Sequence, residues 1–176
     1  MPNVPGMTGQ SLTVSDPRVA LVSLFEVPDL LGGPEREAVG IYLRAEGDMP
    51  GQMMLILSYE KACEFVDMMM DEEVGTTKQL GRIERSALAE VGNIAGSFFL
   101  NAIAKLTGLS SLPSPPAVIV DMVGAILDII IATSGGVGEH VLMLQASFVR
   151  GDREIDAHFW MIPEPSALKA FHEKAG

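Results

Sequence analysis

RIERSALAEVGNIAGSFFLNAIAKLTG, residues 82–108, carries apolar residues at the spacing of a long amphipathic helix. Leu88, Val91, Ala95, Phe98, Ala102 and Leu106 fall mainly on one side. Gly108 stands where a C-terminal cap belongs, and Pro113, Pro115 and Pro116 prevent continuation. Ser86, Glu90, Asn93 and Ser97 are spaced four, three and four, which aligns them on the other face. Gly92 and Gly96 each weaken a helix by about 1 kcal/mol relative to alanine, so something packed close to the backbone must compensate. By spacing alone this face reads as readily as an ordinary solvated surface, with the glycines admitting a packed strand.

Working outward, RVALVSLF (18–25) reads as a buried strand and PDLLGGPE (28–35) as a turn or single helical turn. Residues 37–46 and 51–57 read as strands flanking the turn GDMPG. Ser58 is placed to cap a helix over 59–71, with Ala62, Phe65, Val66 and Met69 at core spacing. Met68, Met69 and Met70 are consecutive, so at least one is expected to face away from that core, with gap-filling packing the simplest role. Beyond the long helix, PAVIVDMV (116–123) reads as a strand, GAILDIIIA (124–132) as a short apolar helix or strand, and SGGVGE (134–139) as a flexible turn. Two strands, 139–149 and 154–162, join through RGDRE, and Pro165 opens a final helix. Strands and helices in blocks rather than strict alternation favour an α+β fold.

The composition narrows the function. A chain of 176 residues fits one domain, and with 48% apolar and 20% charged residues it can bury a full core. Residues 1–11, rich in Pro, Gly, Ser and Asn, are expected to be flexible, leaving 12–176 as the domain. A formal charge of -11 argues against nucleic acid or an anionic membrane as partner. Cys63 is the only cysteine, which excludes an intrachain disulfide and a cysteine-built zinc site; it reads as a small buried helix residue. His140, His158 and His172 show no metal-ligand spacing. The N-terminus lacks the basic start and apolar core of a signal peptide. The most apolar stretch, 117–132, holds Asp121 and Asp128, each costing about 2.5 to 3.5 kcal/mol in a bilayer. A cytoplasmic protein without membrane insertion is the expectation.

MTGQSLTVSDPRVALV aligns with LTGLSSLPSPPAVIVD: Thr8 and Gly9 fall on Thr107 and Gly108, and Pro17 on Pro116, at one constant offset. Gly47-Asp48 corresponds to Gly151-Asp152, and YEKACEFV to PSALKAFH. The chain therefore reads as two tandem helix–strand–hairpin–helix units around a pseudo-twofold, about 12–80 and 81–176. Glu90 and Asn93 would map before residue 1, so either the first unit is built without its opening helix or the true start lies upstream of Met1. The groove left uncovered makes a homodimer the expected assembly.

SALAEVGN followed by Pro116, with twenty-two residues between Asn93 and the proline, resembles the signature of the CheC, CheX and FliY phosphatases of chemotaxis. EVPDLLGG, EGDMPGQMML and DMVGAIL also look like CheC segments, and the likeness covers nearly all of residues 15–175. The resemblance implies a CheC-like α+β fold and hydrolysis of the aspartyl phosphate on the receiver domain of CheY. By that analogy Asn93 orients the attacking water and Glu90 pairs with the receiver's active-site lysine. Pro116 shapes the loop against the helix, and Ser86 takes a contact or capping role. No cofactor belongs to the chain itself; Mg2+ is expected on the partner receiver. CheC proteins also bind the deamidase CheD, and Asp128 is the candidate for that surface. CheC commonly carries two sites, whereas one is expected here, as in CheX. The rival reading is a non-catalytic adaptor like the middle domain of FliM, which lacks the Glu–Asn motif.

Overall fold

The computed structural model describes residues 4–5, 11–133 and 140–163. Among these, eight strands form a curled antiparallel sheet with helices on both faces. In chain order they are β1 (Val4–Pro5), β2 (Ser11–Ser23), α1 (Val27–Leu30), β3 (Glu37–Gly47), β4 (Gly51–Ser58), α2 (Tyr59–Met69), α3 (Arg82–Thr107), β5 (Ser111–Pro113), β6 (Ala117–Met122), α4 (Val123–Thr133), β7 (His140–Arg150) and β8 (Arg153–Pro163). The expected turn over 134–139, the final helix from Pro165, and His172 lie outside the described residues.

The strands run in the order β1-β2-β7-β8-β4-β3-β5, with β6 also paired to β3. At the centre β4 pairs with β8, from Gly51–Pro163 to Leu55–Phe159. Each is joined by a hairpin to its other neighbour, β4 to β3 and β8 to β7, as the two turn signals require. The outer edge of β3 is shared: β6 pairs with Glu37 through Tyr42, and β5 with Ala45 through Gly47.

Side-chain alternation builds two cores. Met53, Leu55 and Leu57 of β4, with Phe159 and Met161 of β8, join the larger cluster under α2 and α3. Met54 and Ile56, with Trp160 and Ile162, join the smaller one under α4 and α1. This explains why β4 reads as an unbroken apolar run: it is buried on both faces. At roughly 1.5–3 kcal/mol per buried large aliphatic or aromatic side chain, these layers dominate the stability.

Ser58 caps α2 as expected, its Oγ accepting from Lys61 N at 3.1 Å. The far end of α2 is held from an unforeseen direction. Arg150, 2% exposed, donates from Nη1 to Met68 O at 2.6 Å and Met69 O at 2.9 Å, and Arg153 Nη1 donates to Asp67 O at 3.0 Å. The β7–β8 turn thus places two guanidinium groups on the last carbonyls of α2, where the helix dipole favours positive charge. The fully buried Asp67 carboxylate accepts from Gly75 N at 3.0 Å and Thr77 N at 2.9 Å, stitching the following loop to the helix.

Several expectations need correction. The methionine triplet leaves none facing away: Met68 and Met69 are buried and Met70 packs against the same core, because Met70 is the cap, where the chain leaves helical geometry. The first long strand begins at Ser11 rather than Arg18. Its pairing with β7 shifts register between Ser15 and Arg18, around Pro17, which has no N–H to donate. Val4–Pro5 pair with Leu12 and Ser11, so part of the N-terminal stretch joins the sheet. The ambiguous GAILDIIIA is helical as part of α4.

Candidate functional site

α3 starts after Gly81, whose N–H is satisfied by Glu84 Oε1 at 2.8 Å. It ends at Gly108, left-handed at φ 76, whose N–H donates to Ala104 O. The helix is long and apolar enough to cross a membrane by length and composition alone, with a mean hydropathy of 1.3 in its most apolar window. Its apolar stripe instead packs on the sheet, as the main core helix of the domain. The buried side is set by Ala87, Leu88, Val91, Ile94, Ala95, Phe99, Leu100 and Ile103. Leu106, assigned to that side by spacing, is 59% exposed, and Phe98 is only half-buried: both lie on the flank of the buried stripe, which continues through Ile103 and Thr107.

The two glycines resolve the question the spacing left open. Both are buried against β3: a methyl at Gly92 would overlap Ile41 Cγ2, and one at Gly96 would meet Leu43 Cδ2 at 3.3 Å and Pro113 Cβ at 3.6 Å. They bring the helix backbone down onto the strand, which offsets their poor helix propensity. Glu90 and Asn93 occupy the same turns but point to solvent. Among the described residues neither side chain is hydrogen-bonded within the chain. A carboxylate and an amide are therefore held one turn apart, open to a partner, on a helix fixed by close packing beneath them.

Ser86 is exposed on the same helix, and its Oγ donates to Arg82 O at 3.1 Å. It lies inside the helix, so the cap is Gly81 and not Ser86. Ser97 is half-buried.

Pro116 follows a segment that sequence reading left as proline-rich loop and that contains β5. Ser114 Oγ accepts from Arg44 N at 2.8 Å, and Ser114 N donates to Arg44 O at 2.8 Å. Ser111 Oγ accepts from Met49 N at 2.9 Å, and Asp48 Oδ2 accepts from Ser110 N at 3.0 Å. These bonds clamp residues 110–114 to β3 and its turn. Pro116 then precedes Ala117, which pairs with Tyr42, between the two strand residues that meet Gly92. The backbone thus puts Pro116 at the level of the Gly92–Asn93 turn.

Asp128 is exposed on α4, against the smaller core and so on the opposite face of the sheet from α3. The apolar residues around it divide: Val123, Ile126, Leu127 and Ile130 are core, while Ile129 and Ile131 are exposed. Cys63 is buried on α2, and burial first, then the nearby Asp67 charge, push its thiol above the usual range, which suits packing and not nucleophilic chemistry. No three His, Cys, Asp or Glu side chains converge as a metal site among the described residues.

Comparison with known proteins bears on the family and the fold. The CheC-like family model matches residues 83–120, the segment from α3 to β6. The chain is 32% identical over 162 residues to the CheY-P phosphatase CheC of Bacillus subtilis strain 168, covering 90% of this chain and 78% of that protein. FliY of Thermotoga maritima superposes with a TM-score of 0.65 at 18% identity, covering 95% of this chain and 83% of that one. The FliM middle domain of Vibrio alginolyticus gives 0.54 at 13% identity, covering 93% and 85%. The last two share the fold.

Proposed function

Because the chain belongs to the CheC-like family, we propose that it hydrolyses the aspartyl phosphate of CheY in the cytoplasm, through a single site on α3 formed by Glu90 and Asn93. The observation that carries this reading is the exposure of both side chains above glycines that lock their helix to β3.

The chemistry suits the pair. An amide donates and accepts at once, so Asn93 can hold a water in line with the phosphorus without adding negative charge beside the phosphoryl oxygens. A carboxylate at that position would be repelled. One turn away, Glu90 faces the receiver's active-site lysine in a charge-assisted pair that anchors the complex. The receiver supplies its own Mg2+, which neutralises the phosphoryl charge. Pro116 and the clamped 110–114 segment support the helix from the side, and Ser86 contributes a contact at the margin of the docking face.

The likeness to the FliM middle domain is what supports the adaptor reading; the presence of both Glu90 and Asn93 favours the enzyme. A second role is compatible with catalysis. CheD binding around Asp128 would use the other face of the sheet and leave α3 free for CheY. A homodimer is compatible with the exposed apolar residues of β2, Val19 and Leu21.

A charge swap tests the docking geometry. Glu90→Lys is expected to weaken CheY-P dephosphorylation by on the order of tenfold or more, and changing the receiver's lysine to glutamate is expected to restore part of it. Equal activity of Glu90→Lys and wild type would overturn the assignment.

A further inference from the structure

Beyond Leu55–Phe159 the pairing of β4 with β8 stops, although both strands continue, β4 to Ser58 on the β3 side and β8 back to Arg153 on the β7 side. A pocket of about 280 Å³ occupies this gap, open to solvent. Its floor is apolar, including Leu31, Ile56 and Ala157. Three cationic or titratable side chains line it from three elements: Arg36 ahead of β3, Lys61 in the first turn of α2, and His158 of β8. In a chain of net charge -11 this concentration is not a sample of the surface.

The three groups are placed and not merely near. Arg36 lies across Gly32, whose φ of +90 favours glycine; a methyl there would meet Arg36 Cδ at 2.8 Å and push the end of that side chain aside. Lys61 spans the gap to donate to Asp156 O at 2.8 Å. Its partner is a neutral carbonyl, and among the described residues no carboxylate pairs with Lys61 or Arg36. Burial, and then the Lys61 charge, lower the proton affinity of His158 despite the opposing pull of Asp156. Among the described residues Arg36 and Lys61 give the pocket a positive field, opposed by the Asp156 carboxylate acting on His158. Ser58, the α2 cap, also lines it, so the positive end of the helix adds to that field.

We propose that this gap is a binding site for a small amphipathic oxyanion, with Arg36, Lys61 and His158 holding the anionic head and the apolar floor receiving its body. Two fixed positive charges beside a neutral imidazole match a dianionic phosphate monoester better than a single carboxylate. None of the pocket residues belongs to α3, so the site is separate from the Glu90–Asn93 face.

Trp160, the only tryptophan, has its ring centroid 5.9 Å from that of His158 and reports on the pocket. The test is a fluorescence titration of the full chain with phenyl phosphate, inorganic phosphate and benzoate, excited on the red edge of the tryptophan band. Saturable binding is expected, tightest for phenyl phosphate. It should weaken by on the order of tenfold in Arg36→Ala and in Lys61→Gln and stay unchanged in Lys105→Gln, which removes an exposed charge elsewhere. Benzoate binding as tightly would support the site with a carboxylate as its head group. Absence of saturable binding by all three, or equal binding by wild type and both pocket variants of intact circular dichroism, would overturn it.

Discussion

At the residue scale the account rests on what surrounds each polar side chain. Asn93 and Glu90 are exposed and uncommitted, whereas Glu84, Asp67 and Arg150 are consumed by helix ends. Asn93→Asp is expected to lose most activity while leaving thermal stability within about 0.5 kcal/mol, because the added charge faces solvent and, in the complex, the phosphoryl oxygens. Phosphate release and a melting curve check the two halves of this. Cys63 gives a second prediction: with its thiol pKa raised by burial, labelling by a thiol reagent near neutral pH should be much slower in the folded chain than in urea. Equal rates would contradict its burial. The exposure of Glu90 and Asn93 on one side of a helix could be read from their spacing, which the signature also ties to Pro116. The Arg36–Lys61–His158 group could not, since its members are 25 and 97 residues apart and only the sheet gap unites them.

Among the elements, the packing of α3 on β3 makes the sharpest forecast. By helix propensity Gly92→Ala should stabilise by about 1 kcal/mol. The overlap with Ile41 reverses the sign, and a net loss of about 1–3 kcal/mol in urea denaturation is expected. Gly96→Ala, with 3.3 Å as its nearest contact, should lose less. Combining Gly92→Ala with Ile41→Ala, which removes the overlapping Cγ2 methyl, should relieve part of the strain, a coupling a double-mutant cycle measures. Arg150→Met leaves the carbonyls of Met68 and Met69 without their donor and should destabilise by roughly 2–4 kcal/mol. The bounds of α3, both hairpins and the Ser58 cap could be read from periodicity and turn chemistry. β5 could not, because three residues amid prolines carry no periodic signal and are made a strand by Ser111 and Ser114 bonding to the turn and edge of β3. The place of Leu106 was not legible either: periodicity gives an approximate face, but only the packing shows that Ile103 and Thr107 meet the core and Leu106 its flank.

For the whole molecule, the sheet separates the two proposed surfaces, with α3 on one side and α4 on the other. Binding of a partner around Asp128 should therefore leave CheY-P turnover measurable, and Asp128→Ala should leave phosphatase activity within about twofold of wild type. The α+β class was legible from the block order of elements, while the two-core layering was not. The unbroken apolar run of β4 does not say which helix lies on which face. His158 links the second pocket to global stability. Its lowered pKa favours the folded state above the normal histidine pKa, and that contribution fades as pH falls through the folded value. His158→Gln should accordingly show a smaller loss of stability than wild type on acidification through this window. The central claim is catalysis by one α3 site, and the decay of phosphorylated CheY with this protein or its Asn93→Ala variant tests it most directly. The account predicts acceleration by wild type that falls at least about a hundredfold in the variant. Decay at the intrinsic rate with folded wild-type protein, or undiminished acceleration by the variant, would contradict it.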